Sequence, residues 1–179
     1  TVLDYDPDQV ETLRRFGLKS FYGDATRLDL LRTAGAEKAR MFVIAIDDEA
    51  KALELVDLVK ENFPQLRIMA RAISRQHAYE LLRKGVQDVY RETFGSALDL
   101  GTDALRALGV ERERASSAAK IFREHDEASV REMARWTGDE EGYASMARLH
   151  IANLEKALQS DRERFERRAD ALPAKIAIA

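Results

Sequence analysis

The first ninety residues alternate short runs of β-forming residues with longer runs of helical periodicity, and this alternation limits the possible folds most strongly. The pattern reads β-α-β-α-β-α-β-α-β, which is typical of a parallel sheet with helices on both faces. We place the strands at residues 1–4, 18–22, 41–46, 66–72 and 87–90. The sequence therefore predicts an α/β, Rossmann-like fold.

Helix signals separate these strands. Asp6 stands before Pro7, which suits the first position of a helix, and Gly17 follows the helical run. Asp47 and Asp48 stand before the longest helical run of this half and can cap it. The first half therefore carries capped helices between its strands, as the predicted fold requires.

The alternation ends after Tyr90, and the remaining chain has the pattern of helices. We place these helices at residues 94–108, 113–135 and 140–168. We therefore divide the chain into a nucleotide-binding Rossmann-like domain at residues 1–93 and a helical extension at residues 94–179, for dimerisation and peripheral regulation. Residues 175–179 fit either an extra strand or a truncated end.

The composition excludes several kinds of protein. There is no cysteine, which excludes disulfides and thiolate chemistry, and a net charge of −3 without a long basic stretch argues against broad nucleic-acid binding. No run approaches the ~20 apolar residues of a membrane-spanning helix. The histidines are isolated and show no metal-ligand spacing. We expect a cytoplasmic chain with no metal site and no nucleic-acid partner.

Polar residues lie at the end of every predicted strand. In open parallel α/β sheets, ligands bind at the carboxyl ends of the strands, so polar residues gathered there indicate a ligand site. In chain order these are Asp4, then Gly23-Asp24-Ala25, then Asp47-Asp48, then Arg71, and last Arg91-Glu92. We expect the five strand ends to share one rim. The predicted nucleotide-binding residues are Asp4, Asp24, Ala25, Asp47 and Arg71.

Two of these residues suggest particular contacts. An acid in the position of Asp4 accepts hydrogen bonds from ribose hydroxyls in dinucleotide folds, although Asp4 can equally cap the next helix. Gly23 lets a ligand approach the backbone, and Asp24 beside the small Ala25 can accept a hydrogen bond from an adenine amine. A tight strand-to-helix turn is the alternative role for this segment. The expected ligand is AMP or NAD(H).

The glycine-rich loop of dinucleotide-binding folds, Gly-x-Gly-x-x-Gly, is absent from this sequence. Thr1 begins directly in what would be the second strand of such a fold. We therefore expect the first strand, its glycine loop and its helix to be missing, so that the chain is part of a longer one.

Several segments resemble one family closely and in the same order, over residues 1–133. They are Asp6-Pro7-Asp8, Glu11-Thr12-Leu13-Arg14-Arg15-Phe16-Gly17, Phe21-Tyr22-Gly23-Asp24-Ala25-Thr26, Ala45-Ile46-Asp47-Asp48, Arg91-Glu92-Thr93-Phe94 and Ile121-Phe122-Arg123. On these segments the chain is similar to the cytoplasmic regulatory domain of the Kef family of glutathione-gated potassium/proton efflux antiporters.

This resemblance implies a function for the chain. It implies a regulatory domain that forms homodimers, binds adenine nucleotide on the sheet rim, and holds a covalently linked membrane transporter closed until a glutathione adduct binds. It implies no enzymatic turnover. It also implies a position on the cytoplasmic side of the bacterial inner membrane and an ancillary flavin quinone oxidoreductase subunit as a partner.

The resemblance also implies a glutathione site made by Phe16, Arg91 and Asp126. The family has asparagine at the third position, so Asp126 keeps an acceptor but adds charge and removes the amide donors. Each residue has a structural alternative. Phe16 could lie in the core or staple a helix, Arg91 could pair with a neighbouring acid, and Asp126 could be solvated.

The helix at residues 94–108 carries an apolar stripe of Leu98, Leu105 and Leu108, which predicts packing against a second copy. Two other functions stay open from the sequence. One is the nucleotide-binding regulatory subunit of a potassium-uptake channel. The other is a piece of an NAD-dependent oxidoreductase, although nothing after Tyr90 offers a convincing general acid or base.

Overall fold

The computed structural model describes residues 1–136 and 140–171, with the side chains up to residue 167. The chain forms two compact units that divide between Glu92 and Thr93. The first unit contains five strands and four α-helices, and the second contains three α-helices among its described residues.

The first unit has the predicted alternation, which confirms the α/β fold class. The strands are β1 (Val2–Asp4), β2 (Ser20–Tyr22), β3 (Met41–Ile44), β4 (Arg67–Ala72) and β5 (Asp88–Arg91). The helices are α1 (Pro7–Arg15), α2 (Leu28–Ala34), α3 (Glu49–Asn62) and α4 (Arg75–Arg83), and a 3-10 turn at Ala36–Lys38 follows α2. β1, β2 and β4 begin one or two residues later than predicted, β3 ends two residues earlier, and β5 is shifted by one residue.

All strand pairs are parallel, and they form two ladders. β1 pairs with β2, and β3, β4 and β5 pair in that order. Asp4 lies opposite Tyr22 in the first ladder, and Ala72 lies opposite Arg91 in the second. Parallel pairing brings the carboxyl ends of neighbouring strands together, so each ladder has one edge where the polar residues collect.

Helices α3 and α4 pack against one face of the β3–β4–β5 ladder. Ile44, Ala70 and Ala72 point to this face and are buried, together with Val59 and Tyr79 of the helices. Burial of each large apolar side chain contributes about 1.5–3 kcal/mol to folding relative to leaving it exposed. The core of the first unit therefore lies between this face and the two helices.

The opposite face of the same ladder carries exposed apolar residues. Val43 is 63% exposed in the middle of β3, and Met41 and Tyr90 are also exposed. An ion pair between Arg67 and Asp88, with Nε 2.7 Å from Oδ2, lies on this face. Parallel sheets are usually covered on both faces. In the described chain, this face of the ladder is exposed instead.

Side-chain caps start three of the helices. Asp6 accepts hydrogen bonds from the Asp8 and Gln9 backbone N–H groups at the start of α1, and Asp48 accepts one from the Lys51 N–H at the start of α3. Ser74 caps α4. The capping roles predicted for Asp6 and Asp48 are confirmed.

The second unit consists of α5 (Phe94–Ala107), α6 (Arg112–Met133) and α7 (Glu140–Ala171), with a 3-10 turn at Ala134–Trp136. α6 packs against both α5 and α7. No residue of α5 is buried, and Leu100 in α5 and Leu108 directly after it are 72% and 82% exposed. α5 therefore presents apolar side chains that this unit does not cover.

The face of α7 that packs against α6 contains polar as well as apolar residues. Leu149 and Ile151 are exposed, whereas His150, Leu154 and Leu158 are half-buried. The buried residue of this face is Asp161, which accepts a hydrogen bond from Ser117 of α6 at 2.9 Å. Polar residues thus take part in the α6–α7 contact, which a search for apolar periodicity cannot detect.

None of the helices in the described residues is long and apolar enough to cross a membrane. The segment at residues 175–179, predicted as a strand or a truncated end, lies outside the described residues.

Candidate nucleotide and ligand site at the strand ends

Asp4 and Asp6 have separate roles at the end of β1. Asp6 is the N-cap of α1. The sequence left helix capping open as an alternative role for Asp4, and the structure gives that role to Asp6. Asp4 Oδ1 accepts a hydrogen bond from the Asp6 N–H at 2.9 Å, which fixes the carboxylate beside the strand end. The side chain is half-buried. Asp4 is therefore held in place without serving as the helix cap.

Gly23 joins the ends of the first two strands. Its N–H donates to the Asp4 carbonyl at 2.9 Å, and its φ of +146° lies in a region that favours glycine. A Cβ at this position would lie 2.6 Å from Leu30 Cδ2. The backbone turn that follows β2 therefore requires glycine, and it places Asp24 next to the end of β1.

Asp24 is fixed by three hydrogen bonds. Its Oδ1 accepts from the Thr26 N–H at 3.0 Å and from Thr26 Oγ1 at 2.9 Å, and its Oδ2 accepts from Lys51 Nζ at 2.9 Å. The hydrogen bond from Lys51, with the two from Thr26, lowers the pKa of Asp24 to about 2. Asp24 is therefore an ionised acceptor with a fixed direction at neutral pH. Ala25 beside it is half-buried.

Arg71 at the end of β4 links the ends of its two neighbouring strands. Its Nη2 donates to Asp47 Oδ1 at 2.5 Å and to the Ala45 carbonyl at 2.8 Å, and its Nη1 lies 2.9 Å from Glu92 Oε1. The hydrogen bond to Asp47 raises the pKa of the Arg71 guanidinium. Two carboxylates therefore balance the charge of Arg71.

The three residues predicted to bind glutathione lie on different elements. Phe16 follows α1 and is 78% exposed, which excludes a core role for this aromatic ring. Arg91 is the last residue of β5, at the same edge as Arg71, and is half-buried. Asp126 lies on α6 of the second unit and is half-buried.

Two residues at the rim escaped the sequence analysis. Thr26 belongs to the segment that carries the family resemblance, but its hydroxyl contact with Asp24 had no signal of its own. Lys51 could be placed near the rim because it follows Asp48 in the first turn of α3. Its partner Asp24 is 27 residues away in sequence, so the ion pair required the structure.

Within residues 1–136 and 140–171, no group of three or more histidine, cysteine or acidic side chains is arranged to hold a metal ion. The rim carries held carboxylates at three strand ends, those of Asp4, Asp24 and Asp47, together with the ammonium of Lys51 and the guanidinium of Arg71.

Comparison with known proteins gives the class of the first unit. Residues 1–92 match the TrkA-N domain family. The solved TrkA-N domain of the inner membrane protein ybaL from Escherichia coli has the same fold, with a TM-score of 0.51 and 22% identity, over 55% of this chain and 74% of that chain. The first unit is thus a TrkA-N domain with a Rossmann-like fold.

The second unit narrows the family. Residues 96–171 match the potassium efflux system KefB C-terminal domain. The structure described as "Shewanella denitrificans Kef CTD in AMP bound form" is 43% identical, with a TM-score of 0.68 over 76% of this chain and 98% of that chain. The chain belongs to the family of Kef C-terminal regulatory domains.

Full-length relatives agree with this assignment. The glutathione-regulated potassium-efflux system protein KefC of Salmonella arizonae is 48% identical over 162 residues, which is 90% of this chain and 26% of that protein. The protein of the same name from Salmonella newport is 47% identical over the same share. The chain thus spans about a quarter of the length of these relatives.

The family assignment decides between the functions that the sequence left open. It confirms the predicted Kef-type regulatory domain, and with it the prediction that the chain is not an enzyme. The helices after the sheet match a domain of a potassium efflux system, which favours the efflux assignment over the regulatory subunit of an uptake channel.

Proposed function

We propose that this chain is a ligand-sensing domain that binds an adenine nucleotide at the rim of its first unit and thereby regulates potassium efflux. The observation that carries the proposal is the pairing of two fixed carboxylates, Asp4 and Asp24, at adjacent strand ends joined by Gly23. The AMP-bound state of a 43% identical relative supports it. AMP is the preferred candidate, and NAD(H) is the second.

The proposed contacts follow from the chemistry of the two acids. Asp4 would accept hydrogen bonds from the ribose hydroxyls, and Asp24, next to Ala25, from the adenine amine. Asp47, held by Arg71, would complete the rim. A 2′-phosphate would bring negative charge against Asp4, so we expect NADH to bind more tightly than NADPH.

A second ligand is proposed from the names of the relatives, which are glutathione-regulated. Glutathione carries two carboxylates and one ammonium at neutral pH. Arg91 would bind a carboxylate, since a guanidinium suits that partner, and Asp126 would approach the ammonium. Phe16, whose ring is exposed, would be displaced by bulky conjugates.

The names of the same relatives also support a role in transport. We infer that the natural protein joins this domain to a membrane potassium/proton antiporter, with the domain on the cytoplasmic side of a bacterial inner membrane. A ligand shifts such a transporter by the difference between its affinities for the two states. An ancillary flavin quinone oxidoreductase subunit belongs to the same proposal.

A homodimer is the proposed assembly. An apolar groove of about 430 Å³ runs beside α5, lined by Leu98, Leu105 and Phe122 among others. Leu105, which lines this groove, is 37% exposed. A helix of a second copy is the occupant that we propose for this groove.

The experiment for the nucleotide proposal is calorimetry with AMP on the full-length natural protein. Asp24→Ala should weaken AMP binding by about tenfold, because the adenine amine loses the charged acceptor of its hydrogen bond. Asp29→Ala is the matched control, since Asp29 is also paired with a cation, Arg27, but lies on α2. Equal affinities for the parent and Asp24→Ala would contradict the proposed site.

A further inference from the structure

The carboxylate of Asp24 and the ammonium of Lys51 place a hydrogen-bond acceptor beside a donor at the rim. Lys51 Nζ lies 2.9 Å from Asp24 Oδ2. Asp24 follows β2 of the first ladder, whereas Lys51 lies in the first turn of α3, which packs on the second ladder. The ion pair therefore joins the two ladders at their carboxyl edge.

Both members of the pair have hydrogen-bonding capacity left for a ligand. Thr26 occupies Oδ1 of Asp24 with two hydrogen bonds, while Oδ2 accepts from Lys51 and can accept one more. An ammonium has three donors, and Asp24 takes one of them. The side chains of Lys51 and Asp24 are 50% and 39% exposed, so a ligand at the rim can reach both.

An acceptor beside a donor matches the edge of an adenine ring. The exocyclic amine of adenine donates hydrogen bonds, and the ring nitrogen next to it on either edge accepts them. Asp24 Oδ2 can accept from the amine while Lys51 Nζ donates to the ring nitrogen. Neither residue has to leave its partner for this contact, because each uses a position that the ion pair does not occupy.

We propose that Lys51 is a specificity-determining residue that donates a hydrogen bond to a ring nitrogen of the adenine base. This inference rests on the nucleotide site proposed above and adds a base contact to it. It assigns Lys51 a role distinct from that of Asp24: Asp24 recognises the amine, and Lys51 recognises the adjacent nitrogen. The same ammonium also reduces the repulsion between the Asp24 carboxylate and an anionic nucleotide.

The test compares ligands that differ in one ring atom. In 1-deaza-AMP and 7-deaza-AMP, a C–H group replaces one of the two ring nitrogens next to the amine, which removes one acceptor and keeps the amine. Calorimetry on the full-length natural protein should show about tenfold weaker binding of one analogue than of AMP, as expected for loss of a hydrogen bond to a charged group.

The Lys51→Met variant isolates the contribution of the lysine, because methionine keeps most of the side-chain length and removes the donors. We expect this variant to bind AMP about tenfold more weakly than the parent and to bind AMP and the sensitive analogue equally. Lys120→Met is the control, since Lys120 also pairs with an acid on an exposed helix face but lies on α6. It should keep the parent's preference.

Three results would overturn the inference. In the first, the decrease in affinity from AMP to each analogue is the same in the parent and in Lys51→Met. The lysine then does not contact a ring nitrogen. In the second, Lys51→Met binds AMP more tightly, so Lys51 only competes for Asp24. In the third, the parent does not bind AMP, which overturns the nucleotide proposal as well and thereby distinguishes the two failures.

Discussion

Arg71 binds Asp47 across the ends of two neighbouring strands, with Nη2 2.5 Å from Oδ1, while its other terminal nitrogen pairs with Glu92. The arginine thus holds the ends of β3, β4 and β5 together and sets the direction of the Asp47 carboxylate. Its Nε is buried and has no hydrogen-bond partner among the described residues.

The first prediction concerns the way in which Arg71 acts. Arg71→Met should weaken the binding of AMP and of adenosine by the same factor, about fivefold, which corresponds to about 1 kcal/mol. The two ligands should lose the same affinity because two carboxylates already bind the guanidinium. Arg71 then positions Asp47 and does not contact the phosphate that adenosine lacks. Calorimetry with both ligands measures the two factors. A loss for AMP alone would show that Arg71 contacts the phosphate.

The second prediction is a titration. The lowered pKa of Asp24, about 2, comes first from the Lys51 hydrogen bond, so NMR of the Asp24 carboxyl should show a higher pKa in Lys51→Met. The unfolded value is about 3.9. The stabilisation is therefore complete above about pH 4 and is lost as the pH falls towards 2. The variant should lose less stability over this interval, and an unchanged Asp24 pKa would contradict the role of the ion pair.

The third prediction concerns the turn after β2. Gly23→Ala should destabilise the protein by about 1–3 kcal/mol, because the backbone conformation is strained for alanine and the new Cβ would clash with Leu30. Gly95→Ala is the control, since Gly95 is helical and has open space around it. Urea unfolding measures both changes. Equal stabilities would mean that the turn relaxes without cost.

The fold class was predictable from the sequence because the alternation of strands and helices is a local pattern. The caps at Asp6 and Asp48 were predictable for the same reason: each acts within three residues of its own position. The division of the sheet into two ladders was not predicted. Strand pairing joins segments far apart in sequence, and no local pattern shows which strand edges meet.

The candidate site was predictable in part. The carboxyl ends of parallel strands meet at an edge, so Asp4 and Asp24 could be placed near each other before the structure was known. The structure then adds which partner each carboxylate has. The pairs Asp24–Lys51 and Arg71–Asp47 connect residues 27 and 24 positions apart, and charge patterns along the sequence do not specify them.

The fourth prediction concerns assembly. Replacing Leu98 and Leu105 with glutamate should convert the proposed homodimer to monomers in sedimentation, because charge would enter the apolar groove beside α5. Leu149→Glu is the control, since Leu149 is an exposed leucine on α7. Circular dichroism checks that α5 still forms. A persistent dimer with both glutamates would place the interface elsewhere.

The most direct test of the two-ligand account is the measurement of a glutathione conjugate and AMP on one variant, Arg91→Ala, in the full-length natural protein. The account predicts that the variant loses binding of the conjugate while AMP binding stays within a few-fold of the parent, because Arg91 supplies the cation for a carboxylate of glutathione. Equal loss of both ligands would contradict it, since Arg91 would then support the nucleotide site or the fold.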